Sequence, residues 1–595
     1  MKTAERSWVR RPHLLVAVSI TAMAPVAAFA QVQSVPDAGT TRGQIEQLPP
    51  APEVRKPEVS VQSSEAFGQD DCSLSQSDVR VTLNEIQYEG VGGAAVDPVL
   101  RGLVGSLESS ESGDQPISVV CRIRDRVNGE LARAGYVARV QVPPQEVTGG
   151  VLRLVIVAGR VTEVRVRGDV GRYRSALDSR LEQIRALAPF NKNEAIRILL
   201  LANDIPGLKV KLSLRNAGGA PGDLIAEVDA ETQDVLLLAN VQNFGSRQLG
   251  REVATLRGEM YGLTGMADRT YVSLSNSLQW KEIHIAQIGH DFALNDNGLR
   301  LAARVSVAQS EPDIANLDLQ SRSLIAGLEM SQVLVRNLQS SLTATIGGEV
   351  LNQATRVLTT GGKVPFTHDQ MRVLFWRLDG ATRKLNAAGN QLYSADVMLE
   401  VRKGVDAFGA SKTGIIENNF APSRFEGVST ATVVRGEVSL DLSLGSVLGI
   451  SGKAFGQWAN KPLLNLEEFS VGNYTYGRGY DPGANGGDRA IAVRIEPRIR
   501  AGQVGPVDLT FTGFYDVVKL WNLDRSAGTE AKRTLRSAGG GVRMVFRNES
   551  TGEARAALDV IYAKPLDKAL VADTRKPTGR VLVSLTAKLL PWGRR

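Results

Sequence analysis

The residues with the most chemical content lie in Tyr474-Thr-Tyr-Gly-Arg-Gly-Tyr-Asp-Pro-Gly483, where Gly477 and Gly479 flank Arg478 and Tyr480 follows. Glycines on both sides let the backbone turn tightly and approach a wall, and Asp481-Pro482-Gly483 closes another turn. This chemistry is recognition: a guanidinium carried out of bulk water needs a carboxylate, because an unpaired charge there is expensive. The spacing Gly477-x-Gly479-x-x-x-Gly483 superficially suggests a phosphate loop, but Pro482 and the lack of a following helix argue against it. His13, His284, His290 and His368 are too few and too scattered for a metal cluster. No nucleophile motif stands out, so the chain reads as a non-enzyme with no catalytic residue, metal site or cofactor. Cys72 and Cys121 are the only cysteines, and in an exported protein such a pair usually forms a disulfide. Closing a loop of about 50 residues stabilises a small domain by roughly 4 kcal/mol in the chain-entropy model.

Two small mixed modules precede that stretch. Residues 73–158 contain a strand-like run from Val81 to Tyr88. Val120, Ile123, Val127 and Leu131 then recur at helical spacing in a helix that should stop at Gly135. Tyr136 to Val142 and Val151 to Val157 alternate as strands. Residues 159–232 repeat the mixture: Val161, Val164 and Val166 open it, and Leu177, Leu181 and Ile184 share a helix face. Asn193 is expected to cap a second helix ending before Pro206-Gly207, and Leu208 to Leu214 and Leu224 to Val228 close the unit.

After about Asp234 the helical period gives way to alternation. Leu299, Leu301, Ala303, Val305 and Val307 interleave with Arg300, Ala302, Arg304, Ser306 and Ala308. Val438, Leu440, Leu442 and Leu444 interleave with Ser439, Asp441 and Ser443, and Val581 to Leu589 follows the same rule less regularly. Charges on the polar side are costly against lipid and comfortable in a wet lumen. Asn297-Gly298 marks a tight hairpin. A soluble propeller would show a repeat of about 40 to 50 residues, and none is present. Residues 233–595 therefore suit a transmembrane antiparallel barrel of sixteen strands, at about 23 residues per strand and connection. Such a barrel encloses water rather than a packed interior.

The compartment agrees. Lys2, Arg6, Arg10 and Arg11 precede an apolar run from Leu14 to Ile20, and Ala28-Phe29-Ala30 supplies a cleavage site, so residues 1–30 read as a signal peptide. Residues 31–72, with Pro36, Pro49, Pro50, Pro52 and Pro57, read as a linker with room for a short helix over Thr41 to Leu48. Whether that arm plugs the pore is left open. A net charge of +7, part of it in the signal peptide, gives no reason to propose nucleic acid as a partner.

With these elements in order, the chain resembles the two-partner secretion transporters (the TpsB family, haemolysin secretion/activation type), relatives of the barrel-assembly insertase. The resemblance covers nearly all of the mature chain. In the N-terminal half it rests on Cys72, Cys121, Gly135-Tyr136, Pro144-Gln145 and Gly150-Val-Leu-Arg-Leu-Val-Ile-Val157, which look like the first of two polypeptide-transport-associated (POTRA) domains. In the barrel it rests on Phe469-Ser-Val-Gly472, Arg478-Gly479-Tyr480, Gly487-Asp488 and Glu496, similar to the sixth extracellular loop that folds into the lumen, here around 473–488. Phe514-Tyr515-Asp516 matches half of a barrel-wall signature, with Val518 where glycine is usual. The resemblance implies Asp516 as the partner of Arg478, in a bidentate pair that locks the loop in register.

It also implies an outer-membrane pore with periplasmic N-terminal domains. These would capture an unfolded exoprotein of adhesin or cytolysin type by β-augmentation and pass it outward without ATP. Outer-membrane lipid, periplasmic chaperones and the barrel-assembly machinery are the other partners implied. The competing readings are an insertase of the same superfamily, a passive channel, which needs no N-terminal modules, and a surface adhesin, which would place its bulk outside.

Overall fold

The computed structural model describes residues 39–47, 61–65, 72, 74, 77, 79–105, 112–314, 317–386, 389–472, 476–525, 530–549 and 552–590. The expected signal peptide, residues 1–30, lies outside them. Among the described residues no helix is long and apolar enough to cross a membrane.

In the first module, helix Val119–Arg133 turns Val120, Ile123, Val127 and Leu131 onto Leu152, Leu154 and Ile156. Spacings of three and four put these side chains on one stripe, and burying each contributes about 1.5–3 kcal/mol. Gly135, at φ 89°, ends the helix, as its spacing predicts. Strand Val151–Ala158 runs between Glu85–Gly90 (parallel) and Ala138–Gln141 (antiparallel). The single strand expected over Val81–Tyr88 is instead two. Asn84 N–H donates to the Gly150 carbonyl at 2.7 Å and its side-chain amide to Gly149 at 3.0 Å, so the chain turns there. Arg80–Leu83 leaves for a separate pairing with Gly113–Pro116.

The second module is a four-stranded sheet in the order Val61–Glu65, Leu208–Asn216, Asp223–Thr232, Arg160–Arg167, packed on helices Arg174–Arg185 and Lys192–Asn203. The linker thus contributes its own parallel edge strand, Val61 opposite Leu212. The cap of the second helix is Asn191, two residues before the expected Asn193. The Asn191 side chain accepts from the N–H groups of Asn193 and Glu194, which Asn193 inside the first turn cannot do. This module is seated on the end of the barrel. Arg336 makes two bonds to Asp204, at 2.6 and 2.7 Å. The buried Arg180 meets Asp296 at 2.8 Å, and Tyr173 donates to the carbonyls of Pro206 and Gln233.

Among the described residues, sixteen long antiparallel strands close a barrel from Val235–Gln242 to Arg580–Leu590. Those two strands complete it, with Gln242 opposite Ser584 and Leu237 opposite Leu590. Val305, Val307, Ile346, Leu374, Val438, Leu440, Ile491 and Ile495 point outward and exposed, while Arg304, Ser306, Glu349 and Arg402 point inward. Three neighbouring strands are much longer than the rest: Leu317–Arg336, Ser340–Thr359 and Gly362–Leu385. The last has its next strand, Gln391–Gly404, only up to the pair Val373–Gly404. Beyond that point its edge is covered by the loop 405–431. Val405 donates to the Arg372 carbonyl, Ser411 to that of Gln370, and His368 to that of Ala421, at 2.8 to 2.9 Å. A bare edge would be a template for unwanted pairing, and the loop removes it.

Candidate functional site: the lumen plug and the folded-back sixth loop

The loop between strands Leu448–Ala459 and Arg489–Val504 is the sixth on the end of the barrel away from the N-terminal modules, and it turns into the lumen. Gly472, Gly477 and Gly483 adopt positive φ at its bends. Phe469, Val471, Tyr476 and Tyr480 pack on the wall residues Val518, Leu520 and Leu535. Val518 is fully buried in this cluster, so its isopropyl group serves as packing. Gly479 passes so close to the wall that a methyl group there would lie 2.6 Å from the Pro565 nitrogen. Tyr480 Oη donates toward the carbonyls of Arg536 and Asp567, at 2.9 and 3.1 Å, and Asp481 accepts from Arg580 at 2.6 Å.

Arg478 meets Asp516, but not as the expected bidentate pair. Asp516, wholly buried, accepts from the Arg478 backbone N–H at 3.0 Å, from Arg494 Nε at 3.2 Å and from Ser537 Oγ at 3.3 Å. Its oxygens are therefore engaged, and Arg478 Nε stands 3.5 Å away as an ion pair only. The guanidinium lies over Phe514, with Cζ 3.6 Å from the ring centroid, and donates through Nη1 to Glu496 at 3.0 Å. Arg478 is thus held by a carboxylate on its backbone, an aromatic face beneath and a second carboxylate at its tip.

Deeper in the lumen lies the one-turn helix Arg42–Ile45, within the stretch where the sequence leaves room for a helix. Thr41 and Gln44 form a reciprocal capping box, satisfying the first donors of an element too short to persist in water. Ile45 is buried among Ile283, Ile325, Leu351, Met371, Leu464 and Leu466. Arg42 donates to Glu349 at 2.8 and 3.0 Å, to Glu467 of the sixth loop at 3.2 Å and to Glu46 at 2.7 Å. Arg402 joins Glu349, Glu400 and Glu467 at 2.6 to 3.0 Å, Arg435 joins Glu467, and Arg304 joins Glu46 and Glu349. Plug, wall and loop therefore share one ion network around two carboxylates. A cavity of about 540 Å³ remains beside it, lined by Arg377, Glu437 and Tyr476 among others, as a wide barrel requires.

At the mouth Arg424, from the loop 405–431, pairs with Asp488 at 2.5 Å, Asp524 at 2.7 Å and Glu468, joining three loops. Cys72 and Cys121 are disulfide-bonded with Cα atoms 5.9 Å apart, tying the linker to the first module. The sequence brought forward Gly477, Arg478, Gly479, Tyr480, Phe514 and Asp516, and the structure gathers all of them at one wall contact. It did not bring forward Arg42, Glu349, Arg402, Glu467 or Arg424. Only Thr41-x-x-Gln44 carried a local signal toward that network.

A family model described as haemolysin secretion/activation protein ShlB/FhaC/HecB matches residues 224–544, which include the wall contact but neither the plug nor the disulfide. The heme/hemopexin transporter protein HuxB of Haemophilus influenzae strain 86-028NP is 22% identical over 553 residues, 89% of this chain and 92% of its own. Solved structures of the same fold include two of CdiB. CdiB from Escherichia coli aligns with a TM-score of 0.64 at 15% identity, over 88% of this chain and 93% of its own. CdiB from Acinetobacter baumannii aligns with a TM-score of 0.59 at 16% identity, over 89% and 94%. With a match across more than half its length, the chain belongs to the haemolysin secretion/activation protein family of two-partner secretion transporters, the secretion pores of the outer membrane.

Proposed function

We propose that this pore exports one dedicated, unfolded exoprotein, with its N-terminal modules in the periplasm as the receiving end. The observation that carries the reading is the closure of a water-filled lumen by two segments of the same chain, the plug helix and the sixth loop. Both are held by non-covalent contacts alone, ion pairs and apolar packing. A client entering the lumen can therefore displace them without covalent chemistry. The modules offer strand edges for an extended client, Arg160–Arg167 in the second and Glu85–Gly90 in the first. The remaining edge of the second sheet is taken by Val61–Glu65, so the client uses the others or displaces that segment.

In this reading the chain performs no catalytic step and uses no nucleotide; folding of the client outside biases transit. Its client is of adhesin or cytolysin type, or a heme-related exoprotein as the name of the similar transporter suggests. Periplasmic chaperones hold the client, and the barrel-assembly machinery inserts the pore. The Arg478 contact keeps the loop in its resting position. Arg478→Ala should insert normally, by heat-modifiable migration and protease pattern, yet lose export. Normal export from this variant would overturn the role given to the contact.

A further inference from the structure

The loop 405–431 sends two excursions out of the plane of the wall, and we infer that their tips are a lipid anchor at the membrane boundary. On strand Gly362–Leu385 the outward side chains change from Trp376 and Leu374 to Arg372, Gln370 and His368. On the paired strand they change from Ile346 and Val350 to Asn352, Ala354 and Arg356. The apolar band of the barrel therefore ends at Leu374 on the first strand and at Val350, the partner of Arg372, on the second.

At that level the covering loop leaves the sheet after Val405 and returns at Ser411. The tip of this bulge is Phe408, 90% exposed and at φ 48°, a conformation that bulky residues rarely take. Outward-facing Arg372 holds the bulge from below, donating through Nη2 to the Phe408 carbonyl at 2.9 Å and through Nη1 to Asn352 at 2.8 Å. The second excursion, between Ser411 and Ala421, exposes Ile415 and Ile416. It is fixed over the outer wall by Phe420, whose ring lies 5.4 Å from that of His368 and 5.2 Å from the Arg356 guanidinium. Water offers such side chains nothing, whereas the band just below them already faces hydrocarbon. An aromatic ring at this height is favoured at the headgroup boundary. The cations of the same stretch are Lys403, paired with Leu374 and donating to the Thr430 carbonyl at 2.9 Å, and Lys412, with Asp406 and Glu417 as its acidic residues.

The occupant of this surface is the lipid of the membrane the barrel spans. On its other side the same loop carries Arg424, paired with Asp488, Asp524 and Glu468 across the mouth. The loop thereby ties the closed mouth to the bilayer. This inference rests on the membrane-spanning reading, and the experiment separates the two. Both native cysteines are in the disulfide, so a single new cysteine takes a spin label uniquely. Labels at Phe408→Cys, Leu374→Cys and Val364→Cys are compared in the full chain reconstituted in phosphatidylethanolamine–phosphatidylglycerol vesicles. Their relaxation by oxygen and by a water-soluble nickel chelate is measured. The label at 408 should match the one at 374, with an oxygen-to-nickel ratio several-fold above that at 364, the tip of the projecting hairpin. A label at 408 that behaves like 364, or that neither reagent reaches, overturns the anchor while 374 still reports lipid. Nickel access at 374 overturns the membrane-spanning reading itself.

Discussion

Replacing Arg42 by methionine should open the pore. The substitution keeps much of the side chain's length and removes the charge-assisted bonds to Glu349 and Glu467. It strands no partner: Glu349 keeps Arg402 and Arg304, and Glu467 keeps Arg402 and Arg435. The cost therefore falls on docking of the plug and not on the wall. Bonds to charged groups contribute about 1.5–3 kcal/mol each. In a wet lumen, with the Arg42 side chain 15% exposed, a net loss of about 3 kcal/mol is a fair value for the set. That shifts the ratio of docked to released helix by about 100-fold. In planar bilayers the fraction of time in the high-conductance state should rise accordingly, and Arg42→Lys should fall between parent and methionine variant. An Arg42→Met pore that stays as closed as the parent, while Ile45→Ala opens it, would refute the ion network as the latch and leave the apolar socket as what holds the plug.

Other perturbations address separate contacts. Cys72→Ser should cost the first module roughly 4 kcal/mol, seen as faster proteolysis within residues 79–158 of the full chain, and reductant should reproduce this in the parent only. Gly479→Ala puts a methyl group against the backbone of Lys564 and Pro565, so the sixth loop should become sensitive to external protease; an unchanged digestion pattern would contradict the close approach. Asp296→Ala strands the buried Arg180 at the junction of module and barrel, at a cost of about 3 kcal/mol. Hydrogen exchange in the turn 262–268 should accelerate, and exchange unchanged there would show that the ion pair does not hold the module in place.

The elements legible in the sequence are those whose period is set by one face. Val120, Ile123, Val127 and Leu131 announce their helix, and Leu299 to Ala308 announces a strand with lipid on one side and water on the other. Asn84 marks its break only by a one-residue slip in the alternation, Val81 and Leu83 before it and Ile86 and Tyr88 after it, and the turn itself depends on the Gly149 and Gly150 carbonyls about 65 residues away. Gly477-Arg478-Gly479-Tyr480 was readable because a tight turn has a local signature, whereas Phe514-x-Asp516 came from the family resemblance. Which carboxylate the guanidinium reaches was not readable. That choice follows from Arg494 and the loop's own N–H occupying Asp516, which leaves Glu496. Beyond the Thr41-x-x-Gln44 capping pattern, the network around Arg42 had no local signature, since its carboxylates lie 307 and 425 residues along the chain.

The most direct test of the central claim is to express a large exported protein encoded beside this chain, with and without it, and to assay the medium and the cell surface. A dedicated secretion pore predicts that the neighbour appears outside only when this chain is present. Retention of the neighbour in the periplasm in both cases, or its accumulation as an inserted barrel, would contradict that claim and favour a passive channel or an insertase.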